Sequence, residues 1–343
     1  MKDTWNNIPV IDKSDESGPV RDTPESSLKW QADDIKETDW KVHLSDQAIE
    51  EILQLAKTLE SISEPTTRSE SQEVNWPSVQ RVTTDLKDKL DHVRGFAVLH
   101  GLPIEEISAD TLVDTYWLLG REVAPPVAQK WNGEMIYSVQ DTGHAYTYGV
   151  RGSRTSVELV FHVDNAFGIA VPDYVGLLCK HPAKQGGISR FCSLYTVHER
   201  LSQRYPEALA RLYKPMLFDR QKEHAENAPA VLLAPFFSWQ QDKLSARANT
   251  SLVRKGYEVA QTPLDAELDD ALSAVTEVCK DEDLWYEAPL ERGHIQYLNN
   301  HEIAHYRSEF EDFEEPERKR HLYRLWHRQN GSHNYDGITT GLT

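Results

Sequence analysis

The 343-residue sequence predicts an α+β protein with a β-rich core buttressed by helices. Amphipathic helical stretches come first, and short apolar segments separated by long insertions follow. The segments do not alternate as strand, helix, strand, so a parallel sheet with crossover helices is not predicted. We expect residues 31–343 to form a single domain. Residues 1–30, which are rich in acids, Ser and Pro, are expected to form a flexible N-terminal extension.

The helices are predicted from the spacing of apolar residues in the first third of the chain. Apolar residues recur with a helical period in residues 45–59 and 78–93, and a third helical stretch covers residues 111–123. A Ser/Glu/Thr-rich stretch at 61–73 predicts a surface loop between the first two helices. Gly95 ends the second helix and precedes a predicted strand.

Strands are predicted mainly in the second half of the chain. The four clearest segments are VELVFHV, VGLLC, HIQYLN and HLYRLWHRQ. Between the second and third of these lie a helical insertion (196–213), a hairpin (236–246) and an amphipathic helix (264–280).

Charge and composition exclude several classes of partner. The net charge of −18, from 37 basic and 55 acidic residues, argues against a nucleic acid or an anionic membrane surface. No apolar run approaches the length of a bilayer span, and the polar N-terminus is unlike a secretory or mitochondrial signal. We therefore expect a cytoplasmic protein that acts on a small molecule. The composition is also compatible with a homo-oligomer.

One short motif, His162-Val-Asp164, is a candidate metal site. About two His-x-Asp/Glu triplets are expected by chance from 14 His and 55 acids in 343 residues, so the motif alone has little weight. Because side chains alternate along a strand, Glu158, Val160, His162 and Asp164 are expected to share one face. Three polar or charged groups on a half-buried face need partners, and a divalent metal is an efficient one.

A second polar cluster near the C-terminus offers the remaining groups of such a site. His301, His305 and His321 are candidates for the third ligand of a two-histidine, one-carboxylate triad, which leaves other coordination positions open. In the strand-forming segment that follows, Arg320 and Arg324 are four residues apart and share a face. Arginine is well suited to a two-pronged contact with a carboxylate.

Five segments in this order resemble the TauD/TfdA family of Fe(II)- and 2-oxoglutarate-dependent dioxygenases: RGFAVLHGLP, FHVD, PAKQGGIS, LNNHEIAHYRSEFED and RKRHLYRLW. The resemblance runs from about residue 30 to about residue 330. It implies a double-stranded β-helix, or jelly roll, with iron inside its mouth. It also implies 2-oxoglutarate and O₂ as cosubstrates.

The resemblance implies a role for individual residues. His162, Asp164 and His305 would be the iron ligands, with His301 as an alternative to His305. Arg320 would pair with the distal carboxylate of 2-oxoglutarate, with Arg324 or Arg318 as alternatives, and the Ser189 hydroxyl would touch the same cosubstrate. Asn300 would help to shape the turn before His305. The chain departs from the family pattern at Val163, commonly Thr, and at His294, commonly Asp.

The implied reaction oxidises a substrate C–H bond and releases succinate and CO₂. Hydroxylation is the default outcome, and desaturation, ring closure or C–N and C–S cleavage in natural-product metabolism are alternatives. A non-catalytic, cupin-like metal-binding protein would not need an inward arginine beside the metal, so Arg320 argues against it. A protein-modifying oxygenase is disfavoured by the acidic chain and the lack of a reader module.

The substrate is predicted from two further charged residues. By the resemblance, Arg324 would hold an acidic group of the substrate, and Glu158, four residues before His162, faces the same interior. Together they would bracket a zwitterion, so we predict a small α-amino acid or a close derivative. In the alternative, Arg324 and Glu158 pair with each other or with neighbours such as Arg154, and the pocket is uncharged.

Overall fold

The computed structural model describes residues 8, 10–12, 23, 26–61, 74–143, 151–240 and 243–337. The helices of this part of the chain are α1 (Glu37–Trp40), α2 (Asp46–Glu60), α3 (Pro77–Asp88), α4 (Ala109–Val123), α5 (Leu194–Arg204), α6 (Pro206–Leu212), α7 (Thr250–Val259) and α8 (Ala266–Val278). None of these is both long and apolar enough to cross a membrane.

The strands are short, as expected for a β-rich core with long connections. They are β1 (Lys41–His43), β2 (Phe96–His100), β3 (Pro126–Val127), β4 (Tyr137–Val139), β5 (Leu159–His162), β6 (Tyr174–His181), β7 (Gln185–Gly186), β8 (Ser189–Ser193), β9 (Met216–Asp219), β10 (Val231–Ala234), β11 (Phe237–Gln240), β12 (Lys243–Ala246), β13 (Trp285–Glu287), β14 (Ile295–Asn299), β15 (Ile303–Arg307), β16 (Phe310–Glu311) and β17 (His321–His327).

Two sheets form the core. The larger sheet has the order β1-β2-β14-β6-β17-β3, with β4 also paired to β17, and the smaller sheet has the order β13-β8-β15-β5. The chain passes from one sheet to the other between β4 and β5, β5 and β6, β6 and β8, β13 and β14, β14 and β15, and β15 and β17. This winding is that of a double-stranded β-helix, the core that the sequence resemblance implies.

Aromatic side chains fill the space between the two sheets. Phe96 on β2 and Phe191 on β8 stack with ring centroids 4.4 Å apart, so the larger and smaller sheets are in direct contact. Trp30 lies against Phe96 at 5.7 Å and is fully buried. Such aromatic pairs contribute about 0.5–1.5 kcal/mol beyond the area they bury.

The last residues of the predicted N-terminal extension, 28–30, pack against the core. Leu28 and Trp30 are buried, the Ser193 hydroxyl donates to the Leu28 carbonyl, and the Trp30 indole donates to the Arg94 carbonyl. Most of residues 1–25 and nearly all of the predicted 61–73 loop lie outside the described residues.

The predicted helices are confirmed, with small differences at their ends. The Ser45 and Ser108 side chains cap α2 and α4, so α4 begins two residues before the predicted stretch. The helix predicted to Val93 is α-helical only to Asp88 and continues as a π-helical segment, Lys89–Val93. The predicted 196–213 insertion is two helices, because Pro206 begins a second one.

One long insertion, residues 194–284, separates β8 from β13. It contains α5 to α8 and two hairpins, β9–β10 and β11–β12, of which the second confirms the predicted 236–246 hairpin. The insertion leaves and rejoins the smaller sheet at neighbouring positions, since Cys192 on β8 pairs with Trp285 on β13. The β-helix is therefore continuous on either side of it.

Candidate active site

A single cavity of about 190 Å³ collects the site residues that the sequence predicted. It is lined by His162, Asp164 and His305, and by Arg320, Ser189, Arg324 and Glu158. These side chains lie on or next to strands β5, β8, β15 and β17, so both sheets contribute to the cavity. Arg320 and Arg324, which were predicted to share a face, both line this cavity.

His162, Asp164 and His305 form a cluster with the dimensions of a metal site. Their candidate ligand atoms all lie within 4.8 Å of one another. Oδ1 of Asp164 is 3.7 Å from Nε2 of His162 and 3.8 Å from Nε2 of His305. His162 and His305 are direct cross-strand neighbours on β5 and β15, whereas Asp164 follows β5 in a turn. Two imidazoles and a carboxylate that converge in this way fit a divalent iron ion.

A backbone hydrogen bond of His162 and the burial of His305 leave an Nε2 atom of each histidine available as a ligand. Nδ1 of His162 lies 2.7 Å from the Val160 carbonyl and donates to it, which leaves Nε2 free to accept a metal. Burial, followed by repulsion from His162, lowers the pKa of His305 to about 3. His305 is therefore neutral near pH 7, as a metal-binding imidazole must be.

Asp164 uses its two carboxylate oxygens differently. Oδ2 accepts hydrogen bonds from Nη1 of Arg324 at 2.9 Å and from Nε1 of Trp326 at 2.8 Å, while Oδ1 faces the histidines. Burial raises the pKa of Asp164, but the Arg324 charge and the His162 hydrogen bond outweigh it, and the pKa falls below its ordinary value. The carboxylate is ionised and is oriented for a one-oxygen contact with a metal.

The buried Asn300 side chain fixes the backbone of Asp164. Its Oδ1 accepts from the Asp164 N–H at 2.7 Å, and its Nδ2 donates to the carbonyls of Asp164 at 2.9 Å and Pro172 at 3.1 Å. The resemblance placed Asn300 near the turn before His305. In the structure it ties that turn to the residue that carries the carboxylate.

Arg320 and Ser189 lie on the part of the cavity wall where the cosubstrate is expected. Both are buried, and Nη1 of Arg320 has no hydrogen-bond partner in the described chain. Burial lowers the pKa of Arg320 to about 10, so the guanidinium is charged at neutral pH. Gly187, with φ +67°, passes so close that an added Cβ would be 3.1 Å from Nε of Arg320. The backbone there is shaped to admit the arginine.

A second buried arginine, Arg307, lines the same cavity and was not among the predicted residues. It lies directly across from Ser189 in the register between β15 and β8. Burial, followed by repulsion from Arg320, lowers the pKa of Arg307 to about 9. Its position two residues after His305 on one strand is the sequence signal that would have placed it on the ligand face.

Arg324 and Glu158 both line the cavity, but each already has a partner. Besides Asp164, Arg324 donates from Nε to Oε1 of Gln129 at 2.8 Å. Glu158, which is exposed, accepts a hydrogen bond from the Tyr306 hydroxyl. The two residues pair neither with each other nor with Arg154 in the described chain. The premise that Arg324 lacks an anion is wrong, because Asp164 supplies one.

The residues considered as alternative iron or cosubstrate ligands, His301 and Arg318, lie outside the cavity. Nε2 of His301 bonds Oδ1 of Asp173 at 2.9 Å, and His301 does not line the cavity. Arg318 is exposed and pairs with Glu315. His294, a departure from the family pattern, packs against His100 with ring centroids 4.0 Å apart and is also outside the cavity.

The remaining wall of the cavity comes partly from the long insertion, which sequence reasoning did not connect to the site. Gln221, Asn249, Ser251 and Leu252 are its contributions. Arg151 from the core also lines the cavity and is paired with Glu223 of the insertion at 2.7 Å. All of the metal-site residues and the arginines belong to the core.

A jelly roll that holds two histidines and one carboxylate beside a buried unpaired arginine defines a class of iron-dependent oxygenase. Comparison with known families agrees. The sequence model of the taurine catabolism dioxygenase TauD, TfdA family matches residues 61–326. The chain belongs to this family. It is an Fe(II)- and 2-oxoglutarate-dependent dioxygenase with O₂ as co-substrate, and the sequence prediction of this class is confirmed.

Individual relatives support the same assignment. FR-33289 synthase of Streptomyces rubellomurinus (strain ATCC 31215) is 25% identical over 308 residues, which cover 87% of this chain and 88% of the relative. The taurine hydroxylase-like protein SAT17 of Stachybotrys chartarum (strain CBS 109288 / IBT 7711) is 29% identical over 177 residues, 50% of this chain and 43% of that protein.

Solved structures share the fold. Asparagine oxygenase, in a complex with Fe(II), 2S,3S-3-hydroxyasparagine and succinate, superposes with a TM-score of 0.63 at 18% identity, covering 84% of this chain and 94% of that one. The non-heme iron oxygenase OrfP, in a complex with Fe, succinate and (3S)-hydroxy-L-Arg, gives a TM-score of 0.61 at 15% identity with the same coverage. The predicted jelly-roll core is confirmed.

Proposed function

We propose that this dioxygenase oxidises a C–H bond of a small α-amino acid or a close derivative, with hydroxylation as the default outcome. The observation that carries the proposal is the single cavity, in which the metal-ligating triad, an unpaired buried guanidinium and a mixed set of charged groups converge. Two neighbours of the same fold are described with hydroxylated amino acids, which supports this substrate class.

In this proposal His162, Asp164 and His305 hold the iron. Bound Fe(II) supplies the redox chemistry of the class, in which 2-oxoglutarate and O₂ give succinate, CO₂ and an oxidised C–H bond. The protein's part is to present two neutral imidazole nitrogens and one carboxylate oxygen, and to keep the remaining side of the site open. Arg324 and Trp326 hold the second oxygen of Asp164 away from the ligand position.

Arg320 and Ser189 are proposed to bind the distal carboxylate of 2-oxoglutarate. The Arg320 guanidinium is buried, charged and unpaired at Nη1, which is costly unless an anion completes it. We expect Arg320→Ala to raise the KM for 2-oxoglutarate by about 30-fold or more, since the loss of one partner of a buried charge pair typically costs at least about 2 kcal/mol. Steady-state kinetics with varied 2-oxoglutarate measure this, and an unchanged KM contradicts it.

Arg324 and Glu158 are proposed to bind the carboxylate and the amino group of the substrate. Arg324 would do so while it keeps its contact with Asp164, because Nη2 makes no hydrogen bond in the described chain. Glu158 is exposed at the cavity wall and accepts only from Tyr306 among described residues. A carboxylate with one neutral donor has free acceptor positions for an ammonium group.

The test is a screen of free amino acids and small carboxylates for substrate-stimulated formation of succinate. We expect the best substrate to carry both a carboxylate and an amine. Glu158→Gln should then weaken its binding and leave the slow substrate-independent consumption of 2-oxoglutarate unchanged. A preferred substrate with neither group contradicts the proposal, while the family assignment stands. A cytoplasmic location and a homo-oligomeric state stay predictions, to be tested by fractionation and by light scattering.

A further inference from the structure

We propose that Arg307 is a second cosubstrate-binding arginine, which contacts the distal carboxylate of 2-oxoglutarate together with Arg320. This inference rests on the proposed cosubstrate site and extends it to a residue to which the resemblance gave no role. Among the described residues, Nε and Nη1 of Arg307 and Nη1 of Arg320 are buried without a partner.

Some of the positive charges that line the cavity are paired with a carboxylate, and others are not. Among the described residues, four arginines line it: Arg151, Arg307, Arg320 and Arg324. Arg151 pairs with Glu223, and Arg324 pairs with Asp164. In the described chain, neither Arg307 nor Arg320 has a carboxylate within ion-pair distance, and Asp312 accepts from the backbone N–H of Arg320 rather than from its guanidinium. Two uncompensated positive charges therefore remain in one cavity.

Arg307 and Arg320 lie against the same aromatic ring. Their guanidinium carbons are 4.9 Å and 5.0 Å from the centre of the same ring, that of Phe310. Ser189, the predicted hydroxyl of the cosubstrate site, is the direct cross-strand partner of Arg307. Two like charges held beside one ring in one cavity repel each other until an anion joins them.

One carboxylate can accept hydrogen bonds from both guanidiniums and from the hydroxyl. Its two oxygens offer about four acceptor positions, enough for two guanidiniums and one hydroxyl. The distal carboxylate is the free anionic group of 2-oxoglutarate, since the other carboxylate belongs to the metal chelate of this class. The geometry therefore assigns both arginines to the same carboxylate.

Arg307 also has a structural contact, and the experiment must separate the two roles. Its Nη2 donates to the carbonyls of Thr155, at 2.9 Å, and Val157, just before β5. A purely structural arginine would hold the segment that leads to His162. Its loss would weaken the binding of every 2-oxo acid at the metal site, whether or not that acid has a distal carboxylate.

The experiment compares two 2-oxo acids on the full-length protein loaded with Mn(II) as a redox-silent metal. Isothermal titration calorimetry gives the Kd of 2-oxoglutarate and of 2-oxopentanoate, which has the same chain without the distal carboxylate. For Arg307→Gln we expect the Kd of 2-oxoglutarate to rise about 30-fold and that of 2-oxopentanoate to change less than about twofold. The exposed Arg318→Gln is the matched control and should change neither.

Equal weakening of both 2-oxo acids, or no change in either, overturns the inference. If Arg307→Gln does not fold, Arg307→Lys takes its place, because it keeps the charge and loses the planar fork. For that variant a selective rise of about tenfold in the Kd of 2-oxoglutarate is expected. Failure of the Mn(II)-loaded wild-type protein to bind either 2-oxo acid would instead contradict the proposed cosubstrate site, so the two failures are distinguishable.

Discussion

At the scale of single residues, the cavity is organised around Asp164, whose Oδ1 faces two histidines while Arg324 and Trp326 donate to its Oδ2. The two donors do more than neutralise a buried charge. They fix which oxygen is available and in which direction it points. Partners of this kind commonly affect metal affinity by about 10- to 100-fold.

The proposed ligands give the first prediction at this scale. His162→Ala, Asp164→Ala and His305→Ala should each abolish turnover by loss of iron, and the fold should persist because the ligands line a cavity rather than fill the core. Metal content and succinate formation are the measurements. His301→Ala is the control and should keep its iron, since His301 bonds Asp173 outside the cavity. The reverse pattern would move the third ligand to His301.

The indole of Trp326 gives the second prediction at the scale of single residues. Trp326→Phe retains a ring and removes the hydrogen bond to Oδ2 of Asp164, so the carboxylate is less firmly oriented. We expect the Kd for Mn(II) to rise about tenfold, together with some loss of thermal stability because the smaller ring leaves a void in the core. Phe in place of the largely exposed Trp131 is the comparison and should leave the Kd unaltered. An unaltered Kd in Trp326→Phe would show that Arg324 orients Asp164 alone.

At the scale of elements, the turn between β14 and β15 is joined to the turn after β5 through Asn300. Asn300→Ala leaves a buried N–H and two carbonyls with one partner fewer. We expect a loss of about 1–3 kcal/mol in the free energy of unfolding, measured by urea titration. Asn132→Ala, in an exposed turn, should cost less than about 0.5 kcal/mol. Equal losses would mean that Asn300 has no special role.

Some of the helices and strands could be predicted from the sequence, and others could not. Helices α2 and α4 carry an amphipathic period and a serine cap, so their bounds agree with prediction within about two residues. Strands β3 and β7 have two residues each, too few for any alternation to be visible. The π-helical segment after α3 leaves no mark in the apolar spacing.

For the site, local sequence identified the charged groups but not their partners. His162 and Asp164 are visible as a motif, whereas the contact of Asp164 with Arg324 joins residues 160 positions apart. Arg324 was therefore predicted to need an external anion that the fold already supplies. The resemblance implies a role for Arg320 and none for Arg307, although strand alternation puts Arg307 on the same face as His305.

At the scale of the whole molecule, buried histidines make stability depend on pH. His198 and His327 are fully buried, and burial lowers the pKa of each to about 4. In the unfolded chain the pKa is about 6.5. Between these values the unfolded chain binds protons that the folded one excludes. The free energy of unfolding should fall by about 1.4 kcal/mol per pH unit per histidine as the pH drops from about 6.5 to about 4.

Urea titrations at pH 7 and pH 5 measure this dependence. His198→Gln removes one titrating group, so its stability should fall less between the two pH values than that of the wild-type protein. The exposed His92→Gln should show the wild-type difference. An identical loss in His198→Gln would mean that His198 takes up its proton without unfolding.

The insertion of residues 194–284 has an evolutionary consequence. Its two ends meet on adjacent strands, at Cys192 and Trp285, so a lineage could exchange the segment without breaking the β-helix. The proposed metal and cosubstrate ligands would be inherited unchanged, whereas Gln221, Asn249, Ser251 and Leu252 would be replaced together. Selection could then shift the choice of substrate in one recombination event, and a chimaera carrying a relative's insertion should retain iron while it accepts that relative's substrate.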